Sequence, residues 1–363
     1  MVTALSTSLI RLAGFALLMI IVMELGSRVL GLAPPANPET DVALVLHYTD
    51  PNGRVRMTPN WEGTVGFVRM RINDRGFRDR VYTPTPPAGV VRIAVLGDGY
   101  TMGNAVPLEA SYPKQLETLY EEGSGIEVMN VGVVATNTAM QLHVLEDVLD
   151  DYRPHLIVLG YNLDDFLWYT ETRFDILARS GHPFTVQADG RVRYDRSGLQ
   201  RLKSWIRDHS YLYRSLAALK NRDVQRSGNP ADMSHASRVR SWIDAGGAEA
   251  SFAALRQMAQ LCQRNGVPFV VAILPAMTET SPSLPAMADY PFLEEHDLVH
   301  RRMTALGIDF VDLLPAFAGE NPRTLVAHPF DQHFSAHGNA LIARALKKYL
   351  EPKVALLREW VRE

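Results

Sequence analysis

The chain has 363 residues, 47% of them hydrophobic and 21% charged, with a formal net charge of −3. That is enough for one large α/β domain plus additions, and no run of like charge is long enough to serve a nucleic-acid groove. The one cysteine, Cys262, excludes an intrachain disulfide and a cysteine zinc site, and it reads as a buried small apolar residue. Leu12 to Met23 is an unbroken apolar run, extended past Arg11, Glu24 and Arg28 by further apolar residues. With those long side chains snorkelling outward, Leu5 to Leu32 reaches across a bilayer as one helix. A cleaved signal peptide and an amphipathic surface helix are the other readings. The only cleavage candidate, near Ala33, is followed at once by Pro34 and Pro35, which favours a retained anchor over residues 1–33. Arg11 on its N-terminal side is a positive-inside cue. The expected location is therefore the cytoplasmic membrane, single-pass, with the domain facing the periplasm or the cell exterior.

Residues 34–90 read as an extended linker with a small β-hairpin region. Pro34 to Thr40 is proline-rich and stiff, Val42 to Phe77 carries short alternating runs broken at Asp50-Pro51-Asn52-Gly53, and Tyr82 to Gly89 is a loop. From residue 91 to 352, strands alternate with helices. Strands are expected at Val91–Leu96, Glu127–Val131, Leu156–Tyr161, Pro268–Leu274 and Asp309–Asp312. Helices are expected at Ser111–Glu122, Asn137–Tyr152, Ala248–Asn265, Phe292–Leu306 and Ala336–Glu351. This alternation predicts a doubly wound, three-layer α/β domain of flavodoxin-like type, with ligands at the strand C-termini. Residues 167–246 interrupt it as an insertion. It contains a hairpin over Phe184–Tyr194, a helix over Leu199–Leu219 with an apolar stripe, and a polar loop over Asn221–Arg238. Residues 353–363 read as a C-terminal tail.

Four short motifs lie on this pattern, with a fifth segment ahead of it. Val91–Leu96 runs into Gly97-Asp98-Gly99, a strand, a tight turn and a helix start. Asn130-Val131-Gly132-Val133-Val134-Ala135 follows the second strand. Pro154 to Gly160 precedes Tyr161-Asn162-Leu163-Asp164-Asp165-Phe166. Asp331-Gln332-His333 precedes a Gly338-led helix, and Asn73-Asp74-Arg75-Gly76-Phe77-Arg78 stands before the first strand. In this order and spacing, over about residues 70 to 350, they resemble the SGNH (GDSL-type) hydrolase family, in its membrane-anchored bacterial form. The resemblance implies an acyl-transfer site. It has a Ser nucleophile in the first turn and a His base, oriented by an Asp two residues earlier. Its oxyanion hole uses the Ser N–H, a Gly N–H and an Asn amide.

Mapped on that pattern, Asp331 and His333 are retained, but the nucleophile position is Gly99. The oxyanion glycine is Ala135, and the oxyanion asparagine is Asp164, or Asn162 in the other register. Ala135 still has an N–H to offer, whereas Asp164 removes a donor and adds negative charge. Asp98 is a family residue without a nucleophilic role, and Thr101 reads as a helix-start cap. A single engineered Ser-to-Gly change would not bring the departures at 135 and 164 with it, which favours natural loss of activity. The expected protein is thus a membrane-anchored, extracytoplasmic pseudoenzyme with idle Asp331 and His333. Its expected partners are the bilayer, through the N-terminal helix, and a membrane protein complex. The alternatives are an active ester hydrolase or O-acetyltransferase on an envelope glycan or lipid, and a carbohydrate- or lipid-binding protein using the old pocket. Trp168 and Tyr169, beside the carboxylates, suit a glycan. No Gly-rich phosphate loop, nucleotide fingerprint or metal-ligand cluster stands out, so neither cofactor nor metal is expected.

Overall fold

The computed structural model describes residues 2–30, 47–49, 54–65, 68–121, 123–166, 184–186, 192–194, 198, 202, 205–206, 209–216, 235–277, 290–328 and 331–362. In chain order its elements are helix α1 (Val2–Val29) and the short strands β1 (His47–Thr49), β2 (Val55–Met57), β3 (Glu62–Val65) and β4 (Val68–Arg71). Then come β5 (Val91–Leu96), α2 (Gly99–Met102), α3 (Tyr112–Leu119), β6 (Ile126–Asn130), α4 (Thr138–Tyr152) and β7 (Leu156–Tyr161). After these follow β8 (Phe184–Val186), β9 (Val192–Tyr194), α5 (His235–Asp244), α6 (Gly247–Arg264), β10 (Phe269–Ile273), α7 (Leu293–Leu306) and β11 (Asp309–Asp312). The chain closes with α8 (Pro322–Leu325), β12 (Val326–His328), β13 (Asp331–Phe334) and α9 (Ala336–Trp360). Contacts divide it into two compact units, Met1–Pro38 with Tyr194–Ser234, and Glu39–Arg193 with His235–Glu363.

The larger unit is built on a five-stranded sheet in the order β11-β10-β7-β5-β6, with every pairing parallel. This is the expected doubly wound α/β sheet. Its central strands are buried on both faces, so they read as nearly unbroken apolar runs: all six residues of β5 and of β7 are buried. The exception within β5 is Arg92, whose guanidinium is neutralised where it lies. It bonds Glu127 at 2.9 Å and the carbonyls of Thr83 and Tyr152 at 2.7 and 2.9 Å. Strands are added on both sides of β5, β6 on one and β7, β10 and β11 on the other, and right-handed crossovers in such a sheet put helices on both faces. α3 packs on α9, and α4 on α6. The strand order reverses beside β5, which places a crevice at the C-terminal ends of β5 and β7.

Several elements depart from expectation. The tail expected at 353–363 is helical to Trp360, because α9 continues through Pro352. Leu350 and Val354 are buried on either side of that proline, and their burial carries the helix past the lost hydrogen bond. The hairpin region before β5 is two hairpins, β1–β2 and β3–β4. The polar loop expected to reach Arg238 gives way to α5 at His235. β8 and β9 pair as the expected hairpin, and the segment between them, 187–191, lies outside the described residues. So does the whole of the 34–46 stretch of the linker.

In the smaller unit, α1 is one continuous helix of 28 residues. Among the described residues, no helix is long and apolar enough to cross a membrane. The expected anchor is therefore not shown by α1, whose longest charge-free run, Leu12–Met23, is bounded by Arg11 and Glu24. That part is apolar around its circumference, with Leu12, Phe15, Leu17, Leu18, Ile20, Ile21 and Val22 all exposed. Helical residues of the insertion dock near its end. Glu24 accepts hydrogen bonds from the Ser210 hydroxyl at 2.8 Å and from the Tyr211 and Leu212 N–H groups at 2.9 Å each, as an N-cap does. Arg28 donates to the His209 carbonyl and lies over the Tyr211 ring.

Candidate active site

The turn after β5 is held tight from below. A Cβ on Gly97 would collide with the Thr101 hydroxyl and would sit 2.9 Å from the Gly160 carbonyl, so the end of β5 is packed directly on the end of β7. Asp98 then caps α2, its Oδ1 accepting from the Tyr100 N–H at 2.9 Å. This corrects the cap expected of Thr101. That side chain is buried instead, with its hydroxyl 2.7 Å from the Tyr112 hydroxyl, because the helix starts at Gly99, three residues earlier than a cap at Thr101 requires. The motif before the sheet braces the same loop. Asn73 folds its own turn by accepting from the Arg75 and Phe77 N–H groups. That turn delivers the buried Arg78 guanidinium to the carbonyls of Met102, Gly103 and Val106.

Gly99 and His333 are brought together. A Cβ built on Gly99 would lie 2.8 Å from His333 Nε2 and 3.4 Å from Val134 Cγ2. The imidazole therefore occupies the space into which a side chain at 99 would extend. It also rests on the Tyr100 ring, with centroids 4.7 Å apart. Asp331 opens β13, which pairs with β12, but its side chain lies outside the described residues, as do Trp168 and Tyr169. Ala135 is exposed with φ at +51°, in the left-handed region that glycine favours. The backbone there follows a glycine-like path although the residue is alanine.

Carboxylates crowd the floor of the crevice. Asp98 Oδ2 accepts from Asn162 Nδ2 at 2.7 Å, so one amide hydrogen of Asn162 is committed to Asp98. Asp164 donates its N–H to Asn162 Oδ1 at 2.7 Å. Asp165 accepts from the Thr138 hydroxyl at 3.0 Å, from Gln141 at 3.2 Å and from the Asn162 N–H at 3.1 Å, pinning this turn to the start of α4. Burial pushes the Asp98 carboxyl up to about 6. The Asn162 bond and nearby His333 pull against that shift, and Asp164 adds to it. Burial also pushes Asp165 well above the usual carboxylate range, with Asp98 as the second cause. The crevice thus holds a base and acidic groups, but no hydroxyl or thiol at the position facing His333. Its electrostatics disfavour an oxyanion.

The expectation of no metal-ligand cluster also needs correction, because the fold assembles His296, His300 and Asp312. The signal was a His-x-x-x-His pair on an expected helix followed by an Asp at a strand end, which no linear motif joins.

No protein-family profile matches the chain. An arylesterase of Vibrio mimicus is 31% identical over 77 residues, which are 21% of this chain and 38% of that protein; the match thus spans well under half the length of this relative. Among solved structures, a GDSL-like lipase of Bacteroides thetaiotaomicron VPI-5482 aligns over 72% of this chain and 88% of its own, with 13% identity and a TM-score of 0.36. The psychrotrophic esterase EstA of Pseudoalteromonas sp. aligns over 73% and 98%, with 10% identity and a TM-score of 0.39. A member of the lipolytic G-D-S-L family from Veillonella parvula DSM 2008 aligns over 71% and 97%, with 11% identity and a TM-score of 0.38. The chain is thus similar in part to GDSL-type esterases and lipases, and the geometry of its crevice rests on its own residues.

Proposed function

We propose that this chain is a GDSL-type hydrolase fold that has lost acyl transfer and serves as a membrane-anchored, extracytoplasmic binding or structural subunit. The observation that carries this reading is the contact at Gly99. The nucleophile position has no side chain, and His333 fills the space where one would stand. A covalent acyl route needs an attacking atom beside the base. The acidic floor supplies a further reason for low activity. The membrane part rests on α1. Its charge-free run of twelve residues is about 18 Å long, less than the roughly 30 Å hydrocarbon core, and the full helix is about 42 Å. Arg11 flanks the run on one side, where a long charged side chain suits a membrane interface, and on the other side Glu24 and Arg28 hold the insertion. An apolar surface of this extent on all sides needs covering, and lipid is the cover we assign.

An activated-ester assay tests the first part. The unmodified chain is expected to match a variant with Ala at both Asp331 and His333. Turnover that vanishes in the double variant would reveal a working nucleophile and replace this reading with an active ester hydrolase or acetyltransferase.

A further inference from the structure

A second cluster of ionisable side chains lies where β11 ends against α7, and none of its members belongs to the group around Gly99. His296 and His300 stand one helical turn apart, so both imidazoles leave the same face of α7. β11 ends at Asp312, whose Oδ2 is 3.2 Å from His296 Nδ1 and 2.8 Å from His300 Nε2. One ligand atom from each of the three residues falls within 4.8 Å of the others.

Each buried member is also held from behind. Asp312 Oδ1 accepts from the Leu314 N–H at 2.9 Å, which leaves Oδ2 for the histidines. His296 Nε2 faces the Tyr290 hydroxyl at 3.2 Å, and that hydroxyl accepts from the Ala276 N–H at 2.7 Å. Outer partners of this kind fix ring orientation and tautomer in metal sites. Exposure is graded across the cluster. The side chain of His296 is 3% exposed, that of Asp312 16% and that of His300 37%, so the cluster has a buried base and an open mouth.

We propose that His296 Nδ1, His300 Nε2 and Asp312 Oδ2 bind a divalent transition metal of the zinc class, with the fourth position open to solvent. Two imidazoles and one carboxylate select against magnesium and calcium, which prefer all-oxygen shells. Ligand atoms bound tetrahedrally at about 2.0–2.1 Å stand about 3.4 Å apart. The two histidine-to-Asp312 spacings, 3.2 and 2.8 Å, lie a little short of that, and the two imidazole nitrogens stand no more than 4.8 Å apart, so closure on an ion asks for side-chain rotation and not for movement of α7 or β11. A network that serves only as hydrogen bonds would not respond to metal.

The test uses the full chain with zinc chloride and cobalt chloride as probes. Expected are one tight zinc ion per chain, visible d–d absorption of four-coordinate cobalt, and a zinc-dependent rise in Tm. Both His300→Ala and Asp312→Asn should weaken zinc binding at least tenfold and abolish the cobalt bands. His296 is too buried to carry the test alone, and the exposed His300 keeps it decisive, with the fold checked by circular dichroism. Equal zinc affinity in the unmodified chain and both variants would overturn the proposal, as would an absence of cobalt bands. Loss of binding only in His143→Ala or His337→Ala would also overturn it, since those residues form separate pairs with Glu146 and Glu320.

Discussion

Residue 99 decides whether the crevice can attack a carbonyl, and its neighbours decide whether restoring one atom suffices. Gly99→Ser puts a Cβ where His333 Nε2 now leaves only 2.8 Å, so the imidazole must withdraw before the new hydroxyl finds room. The oxyanion would then form among the carboxylates of Asp98 and Asp164. Gly99→Ser alone is therefore expected to give little ester hydrolysis. Adding Asp164→Asn and Ala135→Gly should raise it by about a hundredfold, the usual worth of one oxyanion donor. Full turnover from Gly99→Ser alone would show that a single side chain was all that had been lost. Asp98 offers a separate test through pH. Its folded-state pKa of about 6 lies above its ordinary 3.8, so the folded state holds the proton more tightly than the unfolded chain does. The stability from that proton is fully present below about pH 3.8 and is lost as pH rises toward 6. At about 1.4 kcal/mol per unit this amounts to about 3 kcal/mol. Asp98→Asn cannot ionise, so its stability relative to the unmodified chain should improve by about that amount between pH 4 and pH 7.5 in urea unfolding. A difference that stays flat with pH would mean that Asp98 ionises normally.

Among the elements, the segment before the sheet has the clearest structural task. Arg78 is buried and ties three carbonyls of the loop after α2. Arg78→Ala should therefore cost about 3 kcal/mol or more, since each stranded carbonyl carries its own desolvation penalty. Urea unfolding measures this, and a loss below 1 kcal/mol would refute the bracing role. The sheet and its order were legible because buried parallel strands leave runs such as Val91–Leu96 and Leu156–Tyr161, and short crossovers leave little topological choice. The meeting of Gly99 with His333 was legible from the order of the motifs. Other features were not. Pro352 reads as a helix stop, yet buried Leu350 and Val354 outweigh it. Thr101 reads as a cap only if the turn is three residues longer than it is. The His296, His300 and Asp312 cluster needs a helix and a strand to meet in space. Glu24 and Ser210 are 186 residues apart, and no local pattern announces their contact.

For the whole molecule, that last contact changes what the N-terminal helix is for. Glu24 caps helical residues of the insertion and Arg28 covers Tyr211, so α1 acts as a structural seat for this part of the insertion, whatever covers its apolar run. Trp205 and Tyr213 remain 58% and 48% exposed, which suits aromatic side chains at a membrane interface or against a membrane partner. Removing residues 1–32 should therefore have two effects. It should release the protein from the membrane fraction without detergent, and it should make the 205–216 segment sensitive to protease. Glu24→Ala should reproduce only the second, because it removes a cap worth about 1–2 kcal/mol and leaves the apolar run intact. Replacing Trp205 and Tyr213 together by Ala should leave the fold unchanged and weaken capture of any membrane partner from solubilised membranes, whereas His333→Ala should leave capture unaffected. Fractionation, limited proteolysis and affinity capture read these three effects separately. A full-length chain that leaves the membrane fraction without detergent would remove the anchor. A capture defect in His333→Ala, with none in the aromatic variant, would return the function to the crevice.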